Sequence, residues 1–203
     1  FIEAGIRENK LFIINRGVDL DRFRPALKDS KFRVLFAGRI TLRKGIQYLL
    51  EAWKGIHLKN AELILMGSID DEIKPILSRY RDIENISFKG FLKNPKNVFS
   101  ESTKFVFPSV EEGSAKVTYE AMASGLPVIT TENSGSVIRD GLDGFIIPAG
   151  DIKVIREKIV YCFENPSEVA RMGKNAVENA KLYTWENYRK NLINAYEKIL
   201  ALQ

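Results

Sequence analysis

One cysteine and one histidine in 203 residues leave little material for redox or metal chemistry. Cys162 has no second cysteine to pair with, and His57 alone cannot build a His/Cys metal cage. Long hydrophobic runs are also missing. The longest mostly apolar stretches, such as Phe32 to Ala37 and Ala61 to Met66, fall far short of the roughly 20 residues of a membrane span. No basic region leads into an apolar one near Phe1, so no signal peptide is read there. There is no run of five like charges, no internal repeat and no low-complexity tract.

What is present fits an ordinary folded domain. Hydrophobic residues make up 45% and charged residues 28%, which excludes a disordered chain. The length suits one well-buried core and is too short for two ordinary domains with a linker. Thirty-one basic against twenty-six acidic residues give a net charge of +5. That surplus could serve nucleic acid, an anionic lipid surface or a small phosphorylated ligand. It is spread along the chain and has no aromatic-interleaved basic motif, so no nucleic-acid partner is expected. The expected setting is cytoplasmic, with peripheral contact at the inner face of a membrane compatible with the charge.

Short apolar runs alternate with longer amphipathic stretches. Strands are predicted at 32–37, 61–66, 85–88, 104–107, 127–131 and 144–148. Between the first two, Ile46, Leu49, Leu50, Trp53 and Ile56 recur at a helical period. Further helices are predicted around 73–80 and 116–124, and then over 151–164, 166–181 and 184–201. This alternation predicts an α/β fold: a Rossmann-like parallel sheet with helices on both faces, ending in several helices. Ligands of such sheets sit beyond the carboxyl ends of the strands, which directs attention to the loops after Ala37, Met66, Phe88 and Phe107. The first thirty residues differ: Leu11 to Ile14 could form a strand, and a polar stretch then runs to Ser30. Residues 1–30 therefore read as a connection from elsewhere, and 31–203 as the folded domain. Since Phe1 is not an initiator methionine, the expectation is a piece of a longer protein.

Two constellations could carry chemistry. Gly38-Arg39-Ile40-Thr41-Leu42-Arg43-Lys44-Gly45 joins a strand to a helix. A helix start favours phosphate; Arg39 offers a planar fork and Lys44 a mobile charge. Gly38 and Gly45 let backbone approach a ligand closely. A solvated turn holding three basic residues fits the same stretch. The second constellation runs from Glu112 through Gly113, Ser114, Ala115, Lys116 and Val117 to Glu120. Glu120 lies in a helix of mostly buried composition, where an ionised carboxylate must be hydrogen-bonded or face a polar cleft. Glu112 precedes that helix and could equally serve to solvate its start. Asp19 and Asp21 have a D-x-D spacing but read as turn chemistry. Asp70-Asp71 reads as a helix start, Cys162 as core packing, and Trp185 as an anchor for the last helix.

Taken in order, several motifs form a recognisable set. They are Asn15-Arg-Gly-Val-Asp19 with Arg22-Phe23 and Pro25, Ala37-Gly-Arg39 with Lys44-Gly45, Pro108-Ser109, Glu112-Gly113, Glu120-Ala-Met-Ala123, Gly125-Leu-Pro-Val128, and Asp140-Gly141 with Gly144. Together they resemble glycosyltransferase family 4, metal-independent retaining enzymes of GT-B fold, over that fold's C-terminal, donor-binding half. The resemblance implies transfer of a hexose from a UDP-, GDP- or ADP-sugar, with no cofactor and no metal. It implies that Arg39 and Lys44 hold the donor diphosphate, Glu112 the transferred sugar and Glu120 the ribose hydroxyls. Backbone N–H groups from Ser114 to Val117 would face sugar and phosphate, and Gly90-Phe91-Leu92 would border the nucleobase. The family's common E-G-F-G-L reads Glu112-Gly-Ser-Ala-Lys116 here, and Ser136 stands where a Glu is often found. The acceptor-binding N-terminal domain is the implied partner, without which the isolated domain is expected to be inactive. A non-catalytic sugar-nucleotide or protein-interaction module is the alternative, suggested by the altered Ser114–Lys116 loop.

Overall fold

The structure, a computed structural model, describes residues 2–201. Phe1, Leu202 and Gln203, which bound the ranges 1–30 and 31–203, lie outside the described residues. Six strands form one parallel sheet: β1 (Phe32–Ala37), β2 (Ala61–Met66), β3 (Ile86–Gly90), β4 (Lys104–Phe107), β5 (Val128–Thr131) and β6 (Gly144–Ile147). Their spatial order is β3-β2-β1-β4-β5-β6. The chain therefore leaves β1 toward one edge and β4 toward the other, and the sheet's switch point lies between them. Right-handed crossovers running in opposite directions put α1 (Ile46–Lys54) and α4 (Lys116–Ala123) on opposite faces. The fold is the Rossmann-like α/β arrangement expected from the alternation of elements.

Burial explains the continuously apolar stretches within the strands. Val34 to Ala37 and Leu63 to Met66 are all buried, because helices cover both faces. At the switch point Phe36 stacks on Phe107 with ring centroids 5.6 Å apart, and Phe107 on Phe105 at 6.1 Å. Three helices close the chain: α5 (Ile152–Glu164), α6 (Pro166–Ala180) and α7 (Trp185–Leu200). The side chains of Asp151 and Thr184 cap α5 and α7 by accepting from the N–H groups of Val154 and Asn187. Cys162 is buried on α5 and His57 is exposed.

Some local expectations need correction. Leu11 to Ile14 pairs with no strand; Ile13 is 92% exposed, so this stretch has no buried face to hold it on a sheet edge. Instead the N-terminal segment is fastened further on, where the Val18 N–H donates to the Tyr183 carbonyl at 2.8 Å in the turn between α6 and α7. The helix expected around 73–80 is a short α2 (Lys74–Leu77) between two tighter turns, with Pro75 in its first turn. An additional helix, α3 (Lys96–Glu101), precedes β4.

Lys104 opens β4 wholly buried, and its Nζ has no hydrogen-bond partner among the described residues. Burial, assisted by the charge of Lys28, pushes its pKa down to about 7. Between that value and the ordinary lysine pKa near 10.5 the unfolded chain binds a proton that the folded chain does not. Stability should therefore rise with pH across that window, by up to about 1.4 kcal/mol per pH unit. Lys104→Met should flatten this slope to the part left by Lys28, whose pKa desolvation lowers to about 8, and add on the order of 2 kcal/mol at pH 7.5. Urea unfolding of both chains between pH 7 and pH 10 checks the prediction.

Candidate functional site

Beyond the carboxyl ends of β1 and β4 lies a cleft of 520 Å³, walled by the loops after β1, β2 and β4. An adjoining, more apolar hollow of 330 Å³ extends over the ends of β2 and β3. The two share Gly38, Arg39 and Val117. The result is an elongated trough, charged at one end and apolar at the other.

Two backbone devices hold the charged end in shape. Gly45 adopts φ +71°, and a Cβ there would lie 1.9 Å from the Pro108 carbonyl oxygen. Its small size serves close packing of the loop after β1 against the loop after β4, which corrects the expectation that it opens backbone to a ligand. The same two loops are joined by the Val110 N–H and the Ser109 hydroxyl, both donating to the Arg43 carbonyl. Gly67, at φ +148°, passes the loop after β1 so closely that a Cβ would meet the Gly38 carbonyl oxygen at 1.8 Å.

Within this frame three basic side chains each face a carboxylate. Lys44 pairs with Glu112, both side chains largely buried. Lys116 pairs with Glu120 at 3.0 Å across one helical turn, and Arg39 donates from Nε to Asp70 Oδ1 at 2.5 Å. Burial pulls the Lys44 pKa below its ordinary value, helped by Arg43 and opposed by Glu111. Lys44 Nζ also lies 5.6 Å from the centroid of the Phe107 ring. Burial pushes the Glu120 pKa up, and the Lys116 ammonium opposes that rise. Glu112 stands at the charged end and Glu120 borders the apolar hollow, so the two carboxylates face different parts of the trough.

The sequence candidates divide clearly. Gly38, Arg39, Lys44, Glu112, Ser114, Ala115, Lys116 and Val117 line the charged end, and Phe91 and Glu120 the apolar end. Phe91 is 76% exposed, an aromatic ring held at the rim. Gly90 and Gly113 do not line the trough. The Gly90 carbonyl instead accepts from the Gly67 N–H, and Gly113 abuts the turn at Gly135. Among the backbone N–H groups expected to face a ligand, that of Ala115 is already given to the Ser134 carbonyl at 3.0 Å. Those of Lys116 and Val117 open α4, where no intrahelical acceptor exists. The Ser114 hydroxyl meets the Tyr119 hydroxyl at 3.1 Å.

Four charged residues of the trough were given no part in a site from the sequence: Arg16, Arg43 and Asp70, which lay in stretches already singled out, and Glu72. For Asp70 and Glu72 the signal was there, since both follow β2, one of the strands whose loops were singled out. Asp70-Asp71 does start a helical turn, with Asp70 at the N-cap of Asp71–Ile73, but the Asp70 side chain caps nothing and turns toward Arg39 instead. Asp19 keeps its turn role, accepting from the N–H groups of Asp21 and Arg22. No group of three or more His, Cys, Asp or Glu placed to hold a metal ion occurs among the described residues.

Residues 31–165, most of the chain, match the family described as glycosyl transferases group 1. The chain belongs to this family. Over 206 aligned residues the chain is 30% identical to the capsular polysaccharide biosynthesis glycosyltransferase CapM of Staphylococcus aureus, covering 96% of the chain and 53% of CapM. Sucrose-phosphate synthase of Thermosynechococcus elongatus superposes with a TM-score of 0.82 at 25% identity, over 94% of this chain and 53% of the synthase. HepE of Anabaena, solved in complex with UDP, shares the fold with a TM-score of 0.84 at 20% identity, over 97% of this chain and 60% of HepE. The chain spans about half the length of the relatives it first matches. No helix among the described residues is long and apolar enough to cross a membrane.

The fit at Gly45 makes it a sensitive point of the domain. Gly45→Ala should destabilise the fold by roughly 2–4 kcal/mol, since a Cβ meets both an unfavourable φ and the Pro108 carbonyl. Gly113→Ala, with open space around its Cβ position, should cost less than about 1 kcal/mol. Thermal and denaturant unfolding of the two variants measure the difference.

Proposed function

We propose that this group 1 domain is the donor-binding half of a retaining, metal-independent family 4 glycosyltransferase. It would transfer a hexose from a nucleoside diphosphate sugar to a glycan, lipid or small-molecule acceptor. The observation that carries this reading is the trough itself: Arg39 and Lys44 at its charged end, a carboxylate toward either end, and an exposed aromatic at its apolar rim. These features match the parts of a sugar nucleotide in linear order. Phe91 would cover the base and Glu120 accept from the ribose hydroxyls. Arg39 and Lys44 would neutralise the diphosphate, and Glu112 would orient the sugar.

The chemistry assigned to these residues is electrostatic. As the glycosidic bond to the diphosphate breaks, negative charge grows on the leaving oxygen. A guanidinium fork and a desolvated ammonium beside it lower the barrier without a metal ion. The N–H groups that open α4 would add to the same field. Glu112 and Glu120 fix the donor so that the acceptor hydroxyl would meet the reacting carbon on the face the diphosphate leaves, as retention requires, its proton passing to the leaving phosphate oxygen. The acceptor would be bound by an N-terminal domain of the same enzyme, and this half alone would bind donor without useful turnover. The binding of UDP by HepE, a structural neighbour, supports a nucleoside diphosphate ligand. The place of CapM in capsular polysaccharide biosynthesis supports a cell-surface glycan as product, and a site at the inner face of a membrane would suit it.

Calorimetric titration with UDP, GDP and ADP tests the reading. One diphosphate should bind selectively. An Arg39→Ala/Lys44→Ala variant should weaken it at least about tenfold. Glu120→Ala should weaken it further than it weakens inorganic pyrophosphate, which lacks ribose. A folded chain that binds none of the three refutes the proposal.

A further inference from the structure

Asp70 is the one carboxylate paired with a proposed phosphate-binding cation that has no part in the reading above. We propose that it is a positioning residue for the donor diphosphate, holding Arg39 by Nε so that the terminal nitrogens of the guanidinium face the phosphates. This rests on the diphosphate reading of the trough.

The hydrogen bond engages one corner of the guanidinium. Nε donates to Asp70 Oδ1 at 2.5 Å, and the two terminal nitrogens have no protein partner among the described residues. A planar guanidinium gripped at Nε has one remaining fork, the terminal pair, which is the edge that matches two phosphate oxygens. Without that grip Arg39 would be free to wander, since its side chain is 68% exposed against 23% for Asp70. A long, exposed arginine must give up several rotamers to bind, and a pre-existing partner removes much of that loss in advance.

Backbone pairing fixes the anchor relative to the group it holds. The Ile40 N–H donates to the Ser68 carbonyl at 2.8 Å, and the Asp70 N–H donates back to the Ile40 carbonyl at 3.2 Å. The parallel pairing of β1 and β2 thus continues beyond both strands, through a bridge between Ile40 and Ile69. Glu72 extends the same seam by accepting from the Leu42 N–H at 3.4 Å. An ion pair this exposed adds little to stability. Its value lies in orientation.

The carboxylate also repels a nearby phosphate, and this separates two roles. Asn at position 70 keeps an acceptor for Nε–H and removes the repulsion. Ala removes both. Titration of this chain with UDP, GDP, ADP and inorganic pyrophosphate should show Asp70→Ala weakening the bound diphosphate roughly fivefold, the effect of freeing one rotamer-rich side chain. Asp70→Asn should bind at least as tightly as wild type, and neither variant should shift the melting temperature appreciably. A ligand-independent readout is the Arg39 Nε–H resonance, assigned by its loss in Arg39→Lys. It should stand with the other arginines bonded at Nε to a carboxylate, Arg139 and Arg171, in wild type, stay apart from the unbonded arginines in Asp70→Asn, and merge with the unbonded ones in Asp70→Ala. Equal or tighter binding by Asp70→Ala, with Arg39→Ala still weakened, overturns this inference alone. So does an Arg39 signal that Asp70→Ala leaves in place. A folded wild type that binds none of the four probes overturns both this inference and the diphosphate reading.

Discussion

The parallel pairing of β1 with β4 is the join on which the site depends. Val34 lies opposite Lys104 and Leu35 opposite Phe105, and beyond this pairing the chain turns away in opposite directions. No crossover covers the gap between the departing chains, so their loops form walls with open space between. Most of the charged side chains in the trough hang from those walls, while Asp70 and Glu72 come from the loop after β2 and Arg16 from the N-terminal segment. Close backbone packing at Gly45 and Pro108 sets their spacing, and the stacked rings of Phe36, Phe107 and Phe105 make a stiff floor beneath them.

On this frame the charges are arranged in complementary pairs. A trough lined only by cations would repel itself, and one lined only by carboxylates would repel a phosphate. Pairing Lys44 with Glu112, Lys116 with Glu120 and Arg39 with Asp70 keeps each cation where a ligand can claim it. The three pairs differ in depth. Lys44 and Glu112 are mostly out of solvent and lose the most hydration, whereas Arg39 projects outward and is the most easily redirected.

Much of the fold was legible because its strands are covered on both faces. The stretches 34–37, 63–66 and 105–107 are apolar throughout for that reason, and the structure places strands over 32–37, 61–66 and 104–107. The long helices α5, α6 and α7 announce themselves through caps and period, whereas α3 is too short to show one. Leu11 to Ile14 misled because an apolar run of four carries no information about whether a partner edge is near. In the trough, local motifs pointed to the side chains after β1 and β4. What they could not show was contact at long range: that Gly45 answers to Pro108, that Asp70 answers to a residue 31 positions earlier, or that a segment read as a connection delivers Arg16.

That delivery has a thermodynamic side. Arg16 lines the trough, and two residues later Val18 is buried and bonded to the Tyr183 carbonyl, just ahead of α7. The docking of the last helix and the population of Arg16 at the trough are therefore linked equilibria. Whatever loosens the start of α7 withdraws a charge from the pocket. By reciprocity, any anion that engages Arg16 tightens the seam at the far end of the chain.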